Sequence, residues 1–318
     1  MKVAVGIFST PVWTLDRKYV TELRQQFPQI EFAQAFSASE LEAMIADADV
    51  AFSSMVRDST FAHARRLRWI HSSAAGVGAS LFPALVESDV ILTNSRGVQS
   101  ASIAEHVLAL TLAWRRGIHT AVRRQTARQW AQNELATLSP PRFAQTRALI
   151  VGMGSIGKET AALFERLGMH VDGLGRRARD GRPGIDSLPR LLPDADVAVI
   201  TAPHTSETEH LFDRAMLARM KPGSLLVNIG RGRIIDEAAL VEALAQGRPG
   251  GAALDVFDRE PLSADSPLWA MENAIITPHV AGFGPRFWEG LVDLFAANLR
   301  RWLDGQPLEN VVDKQRGY

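Results

Sequence analysis

Short apolar runs alternate with longer amphipathic segments along most of the 318-residue chain. This alternation is typical of α/β proteins, in which buried parallel strands are joined by helices that pack on the sheet. The first set of runs comprises KVAVGIF, EFAQAF, DVAFSS, RWIHSSA and VILTN, and the second comprises RALIVGMG, HVDGLG, DVAVITA, SLLVNIG, GAALDVF and AIITP. We therefore predict an α/β fold with two doubly wound parallel sheets of about five and six strands.

One long helix is predicted between the two sets, over the segment SIAEHVLALTLAWRRG, residues 102–117. Ser102 and Glu105 have the spacing of a capping box, and Gly117 suits the end of the helix. His106, within this helix, is expected to pack at the junction of the two domains. The segment therefore predicts a helical link between the sheets.

The segments that flank the second set predict how the chain divides into domains. Residues 117–145 are largely polar and predict an exposed arm. The final amphipathic segment follows the second set and is expected to return to the first domain. We therefore predict a discontinuous first domain, residues 1–98 plus 285–318, and a second domain of residues 99–284.

A glycine-rich turn opens the second set of runs. Gly152, Gly154 and Gly157 have G-x-G-x-x-G spacing, between an apolar strand and an amphipathic helix. The first glycine permits the tight turn, the second lets the backbone approach a pyrophosphate, and the third lets the helix pack close to the strand. Together with Ser155 and Ile156, they predict a dinucleotide-binding turn, the alternative being a plain turn between strand and helix.

The strand after this turn ends at Gly175, where a carboxylate commonly accepts hydrogen bonds from the adenosine ribose. This chain instead carries Arg176 and Arg177. Guanidinium groups can bind a 2′-phosphate through charge-assisted and often bidentate hydrogen bonds. We therefore predict a preference for NADP(H), with NAD(H) still usable; the alternative is a solvated basic loop.

Three later strand ends carry side chains suited to carbonyl–alcohol chemistry. Arg231 follows one strand, Asp255 and Glu260 follow the next, and His279 follows a third. The carboxyl ends of parallel strands share one sheet edge, so these residues are expected to converge there. A histidine can protonate a developing alkoxide, a carboxylate can orient its ring, and an arginine can grip and polarise a 2-oxo acid. Each residue alone has an ordinary structural explanation, but their convergence predicts an active site.

Composition narrows the function further. Lys plus Arg equals Asp plus Glu at 35 each, so the chain lacks the basic excess typical of nucleic-acid binders. It contains no cysteine, and its histidines form no metal-spaced cluster, so we predict no metal site. No apolar run approaches the ~20 residues of a membrane span, and the first residues predict a strand rather than a signal peptide. We therefore expect a cytoplasmic protein with no nucleic-acid or membrane partner.

The motifs together resemble those of the D-isomer-specific 2-hydroxyacid dehydrogenases. The matching stretches are SIAEHVLALTL, VGMGSIG, TAPHT, NIGRGRIIDEAAL, ALDVFDREPL and TPHVAG. This resemblance covers nearly the whole chain. It implies a flavodoxin-like substrate domain and a Rossmann NAD(P)-binding domain with a cleft between them, and a homodimer formed through the 117–145 arm.

The resemblance also implies roles for the residues at the strand ends. Arg231 would bind and polarise the 2-oxo acid, His279 would be the acid/base, and Glu260 would be its carboxylate partner. Asp255 would contact the nicotinamide carboxamide, and Pro203 of TAPHT would belong to the cofactor-binding set.

Further substrate-binding residues are implied in the loops around the first set of runs. The backbone N–H groups of Ala75, Gly76 and Val77 would hold the substrate carboxylate. Arg57 lies where phosphoglycerate-oxidising members place a phosphate-binding arginine. Arg286 either touches the substrate or lies on the surface. The arginine pair and the closing VVDKQRGY resemble instead the glyoxylate/hydroxypyruvate reductase branch.

The leading functional prediction is NADPH-dependent reduction of a small 2-oxo acid, such as glyoxylate or hydroxypyruvate, to the D-2-hydroxy acid. One alternative is NAD-dependent oxidation of a phosphorylated hydroxy acid such as 3-phosphoglycerate, which Arg57 favours. Another is a non-catalytic, cofactor-sensing protein of the same fold. A third is oxidation of formate or phosphite, against which Glu260 argues, because formate-type members carry an amide there.

Overall fold

The computed structural model of the protein describes residues 1–8, 11–138, 140, 142–179 and 181–317. The chain folds into two compact units, Met1–Val98 with Gly284–Tyr318, and Gln99–Phe283. Each unit is built on one all-parallel sheet. The assignment of substrate binding to the first unit and cofactor binding to the second stays a prediction.

The first unit holds a five-stranded sheet in the order β2-β1-β3-β4-β5. Its strands are β1 (Lys2–Gly6), β2 (Glu31–Gln34), β3 (Val50–Ser53), β4 (Trp69–Ser72) and β5 (Ile91–Asn94). Strands β3 and β4 are buried at every position, which explains why their sequences are apolar runs rather than alternating patterns. Strand order reverses between β1 and β3, the place where ligands usually bind in open α/β sheets.

In the described part of the chain, these strands are connected by the helices α1 (Arg17–Gln26), α2 (Ala38–Ile45), α3 (Asp58–Phe61) and α4 (Pro83–Glu87). Helix α1 begins after Asp16, whose carboxylate accepts a 2.8 Å hydrogen bond from the Lys18 amide. Helix α2 begins after Ser37, whose hydroxyl accepts a 3.2 Å bond from the Glu40 amide. These side-chain caps satisfy amides that a helix leaves without internal partners.

The second unit holds a six-stranded sheet in the order β11-β10-β9-β8-β6-β7. Its strands are β6 (Arg147–Val151), β7 (His170–Leu174), β8 (Val197–Ile200), β9 (Leu225–Asn228), β10 (Gly251–Leu254) and β11 (Ala274–Ile276). Here the order reverses between β6 and β8. The prediction of two doubly wound parallel sheets of five and six strands is confirmed.

The helices of the second unit are α5 (Ser100–Arg115), α6 (Ile118–Thr126), α7 (Gln132–Ala136), α8 (Ser155–Arg166), α9 (Leu188–Leu191), α10 (Arg214–Leu217) and α11 (Glu237–Ala245). Val107 of α5 and Phe164 of α8 join one hydrophobic core with β6 and β8, while Leu240 of α11 belongs to the core on the other face. Both faces of the sheet are therefore covered, as its apolar strands require.

The predicted capping box at the start of α5 is wrong. The helix begins at Ser100, its N-cap is Gln99, and no side chain caps it. Ser102 therefore lies inside the first turn, because the N-cap is three residues earlier than the capping spacing suggested.

The last helix, α12 (Phe287–Leu303), packs within the first unit. Its Phe295 stacks on Phe52 of β3 with ring centroids 4.3 Å apart, and on Trp69 of β4 at 5.5 Å. Large buried aromatic rings contribute strongly to a core. The contact explains how a segment at the end of the chain helps to hold the first sheet.

Candidate active site

The glycine-rich turn connects β6 to α8 at the point where strand order reverses in the second sheet. Gly152 has φ +109°, and a Cβ there would lie 2.6 Å from the Ala202 backbone nitrogen. A Cβ on Gly157 would lie 2.1 Å from the Gly152 carbonyl oxygen. A larger residue at Gly152 would collide with the segment after β8, and one at Gly157 with the turn after β6, so local packing requires both glycines.

The start of α8 has the features that an anionic ligand needs. Gly154 is the N-cap, and no side chain caps the helix. A Cβ built on Gly154 would meet nothing within 4 Å, so open space lies beside the first turn, which includes Ser155 and Ile156. Uncapped amides and the helix dipole favour a negatively charged group at such a terminus. These residues fit the pyrophosphate of a dinucleotide.

The arginine pair follows β7, and one member already has an ionic partner. Arg176 Nε lies 2.7 Å from Glu207 Oε2, and its terminal nitrogen Nη2 lies 2.6 Å from Oε1. The hydrogen bonds from Arg176 lower the pKa of Glu207; burial acts in the opposite direction, and the charges of Arg176 and Arg177 lower the pKa further. Glu207 lies beyond β8 and was not anticipated from sequence. A 2′-phosphate bound by Arg176 would have to share or replace this carboxylate.

The loop that carries Glu207 also contains Pro203, which is exposed. Its carbonyl oxygen accepts a 2.8 Å hydrogen bond from the Thr208 hydroxyl. The same hydroxyl oxygen lies 2.8 Å from the Thr205 amide, which donates to it. Thr208 is buried, and its two hydrogen bonds hold the shape of the loop between Pro203 and Glu207.

Arg231 lies in a short loop after β9 that two interactions hold in place. The Asn228 side chain donates to the Arg231 carbonyl and accepts from the Gly230 amide, both at 3.0 Å. A Cβ on Gly232 would lie 1.8 Å from the Phe257 carbonyl carbon, so only glycine lets this loop approach the segment after β10. The close approach brings the Arg231 loop beside the segment that leads to Glu260.

The Arg231 side chain stays cationic in this setting. Burial of the guanidinium among protein atoms lowers its pKa, and the charge of Glu260 acts in the opposite direction. An arginine pKa starts so high that the group keeps its charge. Its Nη1 donates to the Gly230 carbonyl at 2.7 Å, while the residue as a whole is exposed. A fixed, charged fork of this kind can bind a carboxylate.

His279 and Glu260 form a hydrogen-bonded pair. His279 Nδ1 lies 2.7 Å from Glu260 Oε2, and the other carboxylate oxygen accepts from the Phe257 amide at 3.1 Å. Since an ionised carboxylate only accepts hydrogen bonds, Nδ1 carries a proton and Nε2 is left for other chemistry. The side chains are 49% and 36% exposed, so the pair can meet a ligand.

The carboxylate of Glu260 is ionised. Burial acts to raise its pKa, but the hydrogen bonds from His279 and the Phe257 amide, with the charges of His279 and Arg231, lower it overall. A charged carboxylate at Nδ1 fixes the orientation of the ring and keeps Nδ1 protonated. The pair can therefore hold and release a proton at Nε2.

Asp255 is buried, with 1% of its surface exposed, and its carboxylate is hydrogen-bonded to the segment 277–281 that carries His279. One oxygen, Oδ1, accepts from the Thr277 hydroxyl at 2.6 Å and the Val280 amide at 3.0 Å. The other accepts from the Ala281 amide at 3.0 Å. The observed bonds therefore fix the turn after β11; contact with a nicotinamide stays a prediction.

In the first unit, Ala75, Gly76 and Val77 follow β4. Asn94 of β5 donates to the Ala75 carbonyl at 2.7 Å, and Val77 is buried in the core. Within the described residues, the amide N–H groups of these three residues have no hydrogen-bond acceptor. Such amides can bind an anion together.

Two further arginines of the first unit were predicted as substrate residues. Arg57 follows β3, and its Nη1 donates to the carbonyls of Ser54 and Val56 at 2.7 and 3.0 Å. The Arg286 side chain is 78% exposed and lies 3.7 Å from the carboxylate of Asp293. Arg57 is thus partly engaged by its own loop, and the position of Arg286 favours the surface alternative.

The predicted residues therefore fall into two groups. Arg231, Asp255, Glu260 and His279 come together beyond neighbouring strands of the second sheet. The loop residues Ala75–Val77, with Arg57 and Arg286, belong to the first unit. No group of three or more His, Asp or Glu suited to a metal occurs among the described residues. No helix in the described part of the chain has the length and apolarity to cross a membrane.

A dinucleotide-type turn, an arginine and a histidine–carboxylate pair along one sheet define a nicotinamide-dependent oxidoreductase. The family model for the NAD-binding domain of D-isomer specific 2-hydroxyacid dehydrogenases matches residues 108–281, more than half of the chain. The chain belongs to the D-isomer specific 2-hydroxyacid dehydrogenases.

Relatives differ in the substrates that their names state. Glyoxylate/hydroxypyruvate reductase B of Pectobacterium atrosepticum is 34% identical, over 96% of this chain and 98% of its own. D-3-phosphoglycerate dehydrogenase of Archaeoglobus fulgidus is 31% identical, over 79% of this chain but 48% of its own. The structure of the NADPH-dependent glyoxylate/hydroxypyruvate reductase of Sinorhizobium meliloti, solved with NADP and sulfate, has a TM-score of 0.84 at 28% identity and covers both chains fully.

Proposed function

We propose that this protein reduces a small 2-oxo acid, of the glyoxylate or hydroxypyruvate type, to the D-2-hydroxy acid with NADPH. The observation that carries the proposal is the 2.7 Å contact between His279 Nδ1 and Glu260 Oε2. It leaves Nε2 of a half-exposed ring available as a proton donor.

In the proposed reaction, Arg231 binds the substrate carboxylate and polarises the adjacent carbonyl. The reduced nicotinamide, when bound, supplies the hydride that the carbonyl carbon accepts. His279 delivers the proton at Nε2 to the carbonyl oxygen, so the oxo acid gains one hydride and one proton. Glu260 keeps the ring oriented and stabilises the imidazolium before transfer. The backbone amides of Ala75, Gly76 and Val77 are proposed as a further carboxylate-binding element.

The cofactor preference rests on residues at the ends of β6 and β7. The glycine-rich turn would bind the pyrophosphate. Gly154 would let the backbone approach it, Gly152 and Gly157 would permit the turn and the close packing of the helix, and Ser155 and Ile156 lie in the first turn of that helix. Arg176 and Arg177 would bind the 2′-phosphate. The position where an acidic residue commonly binds the ribose is Gly175 in this chain, which has no side chain to do so. The solved relative that contains NADP supports this preference.

The competing proposal is NAD-dependent oxidation of a phosphorylated hydroxy acid, and Arg57 is the residue that favours it. The phosphoglycerate dehydrogenase relative supports it as well. Against it, one end of the Arg57 guanidinium already donates to two carbonyls of its own loop. The reductase proposal is therefore preferred.

A homodimer formed through the 117–145 arm is part of the proposal. Several apolar side chains of this arm are exposed, namely Ile118 (49%), Val122 (55%), Trp130 (90%) and Leu138 (46%). Exposed apolar residues grouped in one segment are typical of interaction surfaces. A cytoplasmic location stays an expectation from the sequence.

Two measurements test the function together. The first is a fluorescence titration with NADPH and with NADH at one fixed salt concentration, and NADPH is expected to bind at least about tenfold more tightly. The second is kcat/KM with glyoxylate, hydroxypyruvate and 3-phosphohydroxypyruvate. The proposal predicts higher values for the two unphosphorylated acids. Tighter NADH binding with a preference for the phosphorylated acid would instead support the phosphoglycerate-type reaction.

A further inference from the structure

The turn that carries His279 has a backbone conformation that needs support. His279 has φ +53°, a left-handed value that non-glycine residues seldom adopt. Its amide donates to the Asp255 carbonyl at 2.9 Å, and the next two amides donate to the Asp255 carboxylate at 3.0 Å each. Asp255 therefore holds the strained turn through three successive amides.

The Asp255 carboxylate is itself held by the side chain of Thr277, which precedes His279 by two residues. The Thr277 hydroxyl lies 2.6 Å from Asp255 Oδ1, and its only hydrogen must point to this oxygen because a carboxylate accepts and cannot donate. The hydroxyl oxygen keeps its capacity to accept a hydrogen bond from elsewhere. That second bond comes from a distant part of the chain.

His106, in the middle of α5, supplies the bond. Its Nε2 lies 3.1 Å from the Thr277 hydroxyl oxygen and 3.7 Å from Asp255 Oδ1. Since the hydroxyl hydrogen is already used, Nε2 must donate. Burial lowers the pKa of His106, with the Asp255 charge acting in the opposite direction, in keeping with a neutral ring protonated at Nε2.

We propose that His106 is a positioning residue for the reaction, acting through Thr277 and Asp255 to hold the turn that presents His279. The inference rests on the proposed role of His279 as proton donor. It assigns a role in the reaction to a histidine of α5 that the proposed function does not use. The chain of bonds runs from α5 to the turn across 171 residues of sequence, wholly within the second unit.

Paired substitutions at both ends of the chain of bonds test the inference. His106→Leu and Thr277→Val remove the donor and the hydroxyl, while His106→Gln and Thr277→Ser retain them in similar volumes. With hydroxypyruvate and NADPH, we expect the Leu and Val variants to lose about tenfold in kcat, the size expected for one buried hydrogen bond. The Gln and Ser variants should recover most of that loss.

Two further readouts separate positioning from general structure. KM for hydroxypyruvate should change little in all four variants, because the effect acts on proton transfer at His279. The double variant His106→Leu/Thr277→Val should be no slower than Thr277→Val alone, since both changes break the same chain of bonds. Additive losses, or a Gln variant as slow as the Leu variant, would overturn the inference.

The His279→Gln variant, measured alongside, separates this inference from the proposed function. If His279→Gln abolishes turnover while His106→Leu and Thr277→Val keep the wild-type kcat, the positioning role is wrong and the proposed function stands. If His279→Gln turns over at the wild-type rate, the proposed function itself fails. If His106→Leu does not fold, the comparison of kcat between Thr277→Val and Thr277→Ser tests the inference by itself: equal kcat values would overturn it.

Discussion

His71 and His279 show how differently two histidines near strand ends are used. His71 lies inside β4 and is fully buried, with Nδ1 2.7 Å from the Thr93 hydroxyl. The rings of Phe52 and Phe295 lie 5.5 and 5.6 Å from it. His279 lies beyond β11, half exposed, with a carboxylate at the corresponding nitrogen. The first imidazole lies between the neutral hydroxyls of Thr93 and Ser95 and against aromatic rings, and the second has a charged partner and access to ligands.

The contrast teaches what makes a histidine fit for proton transfer. Burial lowers the pKa of His71 to about 3, so its ring stays neutral and serves the core. His279 instead has an ionised carboxylate at Nδ1 and a half-exposed ring, so a proton at Nε2 can reach a ligand. Position relative to the strand distinguishes the two, because a residue inside a central strand faces the core and one beyond it faces the ligand edge.

The largest effect is expected from His279→Gln, which removes the proposed proton donor while keeping a polar side chain of similar reach. Loss of general acid catalysis should lower kcat by about 10²–10⁴-fold, with NADPH affinity nearly unchanged. Steady-state kinetics and a fluorescence titration measure the two quantities. His63→Gln, at an exposed residue paired with Glu42, is the matched control. Equal kcat values for His279→Gln and His63→Gln would mean that His279 is not the proton donor.

Arg231→Lys should produce the next largest effect. Lysine keeps the charge but loses the planar fork, so kcat/KM for the oxo acid should fall about a hundredfold. Arg233→Lys is the control, since Arg233 is an exposed neighbour whose side chain pairs with Glu209 and Asp258. If both variants behave alike, Arg231 does not bind the substrate as proposed.

His71 is expected to affect stability through pH rather than activity. The folded protein keeps its ring neutral down to about pH 3, whereas the unfolded chain binds a proton below about 6.5. The stabilisation is therefore complete above pH 6.5 and declines as pH falls. Between pH 7.5 and 4.5, this residue should account for a loss of about 2–3 kcal/mol in the free energy of unfolding.

Urea unfolding of wild type and His71→Asn at both pH values measures this contribution. The asparagine variant lacks the titrating ring, so its free energy of unfolding should fall less steeply with acid. Parallel slopes for the two proteins would show that His71 is not held neutral by the core.

The smallest effect is expected at the arginine pair. Glu207→Gln removes the negative charge of a carboxylate that pairs with Arg176, so NADPH should bind about two- to fivefold more tightly, the modest range of surface ion pairs. NADH has no 2′-phosphate, and its dissociation constant should not change. Separate titrations with the two cofactors measure this. An equal gain for both would mean that Arg176 does not contact the phosphate.

Much of the fold was predictable because strand runs and helix periodicity are local signals. The strands of both sheets and the long helix α5 follow directly from apolar patterning. The N-cap of α5 was misplaced by three residues, since Ser102 and Glu105 offered a capping signal that the chain does not use. The capping propensity of Ser102 is overridden here by the backbone conformation of the preceding residues, which begins the helix at Ser100.

The candidate site was predictable in its principal residues but not in its supports. Arg231, Glu260 and His279 each follow a strand, so sheet topology alone brings them to one edge. Glu207 and Thr277 gave no comparable signal, because their partners lie 31 and 22 residues away and were set by tertiary packing. Side-chain pairing over such separations leaves no periodic trace in a single sequence.

The central claim is that the half-exposed His279, held by Glu260, serves the reduction of a 2-oxo acid. The most direct test is to incubate the protein with NADPH and hydroxypyruvate, then compare NADPH oxidised with glycerate formed by chiral chromatography. The account predicts D-glycerate in a one-to-one ratio to NADPH consumed. Tight NADPH binding without oxidation, with hydroxypyruvate and with the other oxo acids, would contradict it and favour a cofactor-sensing protein.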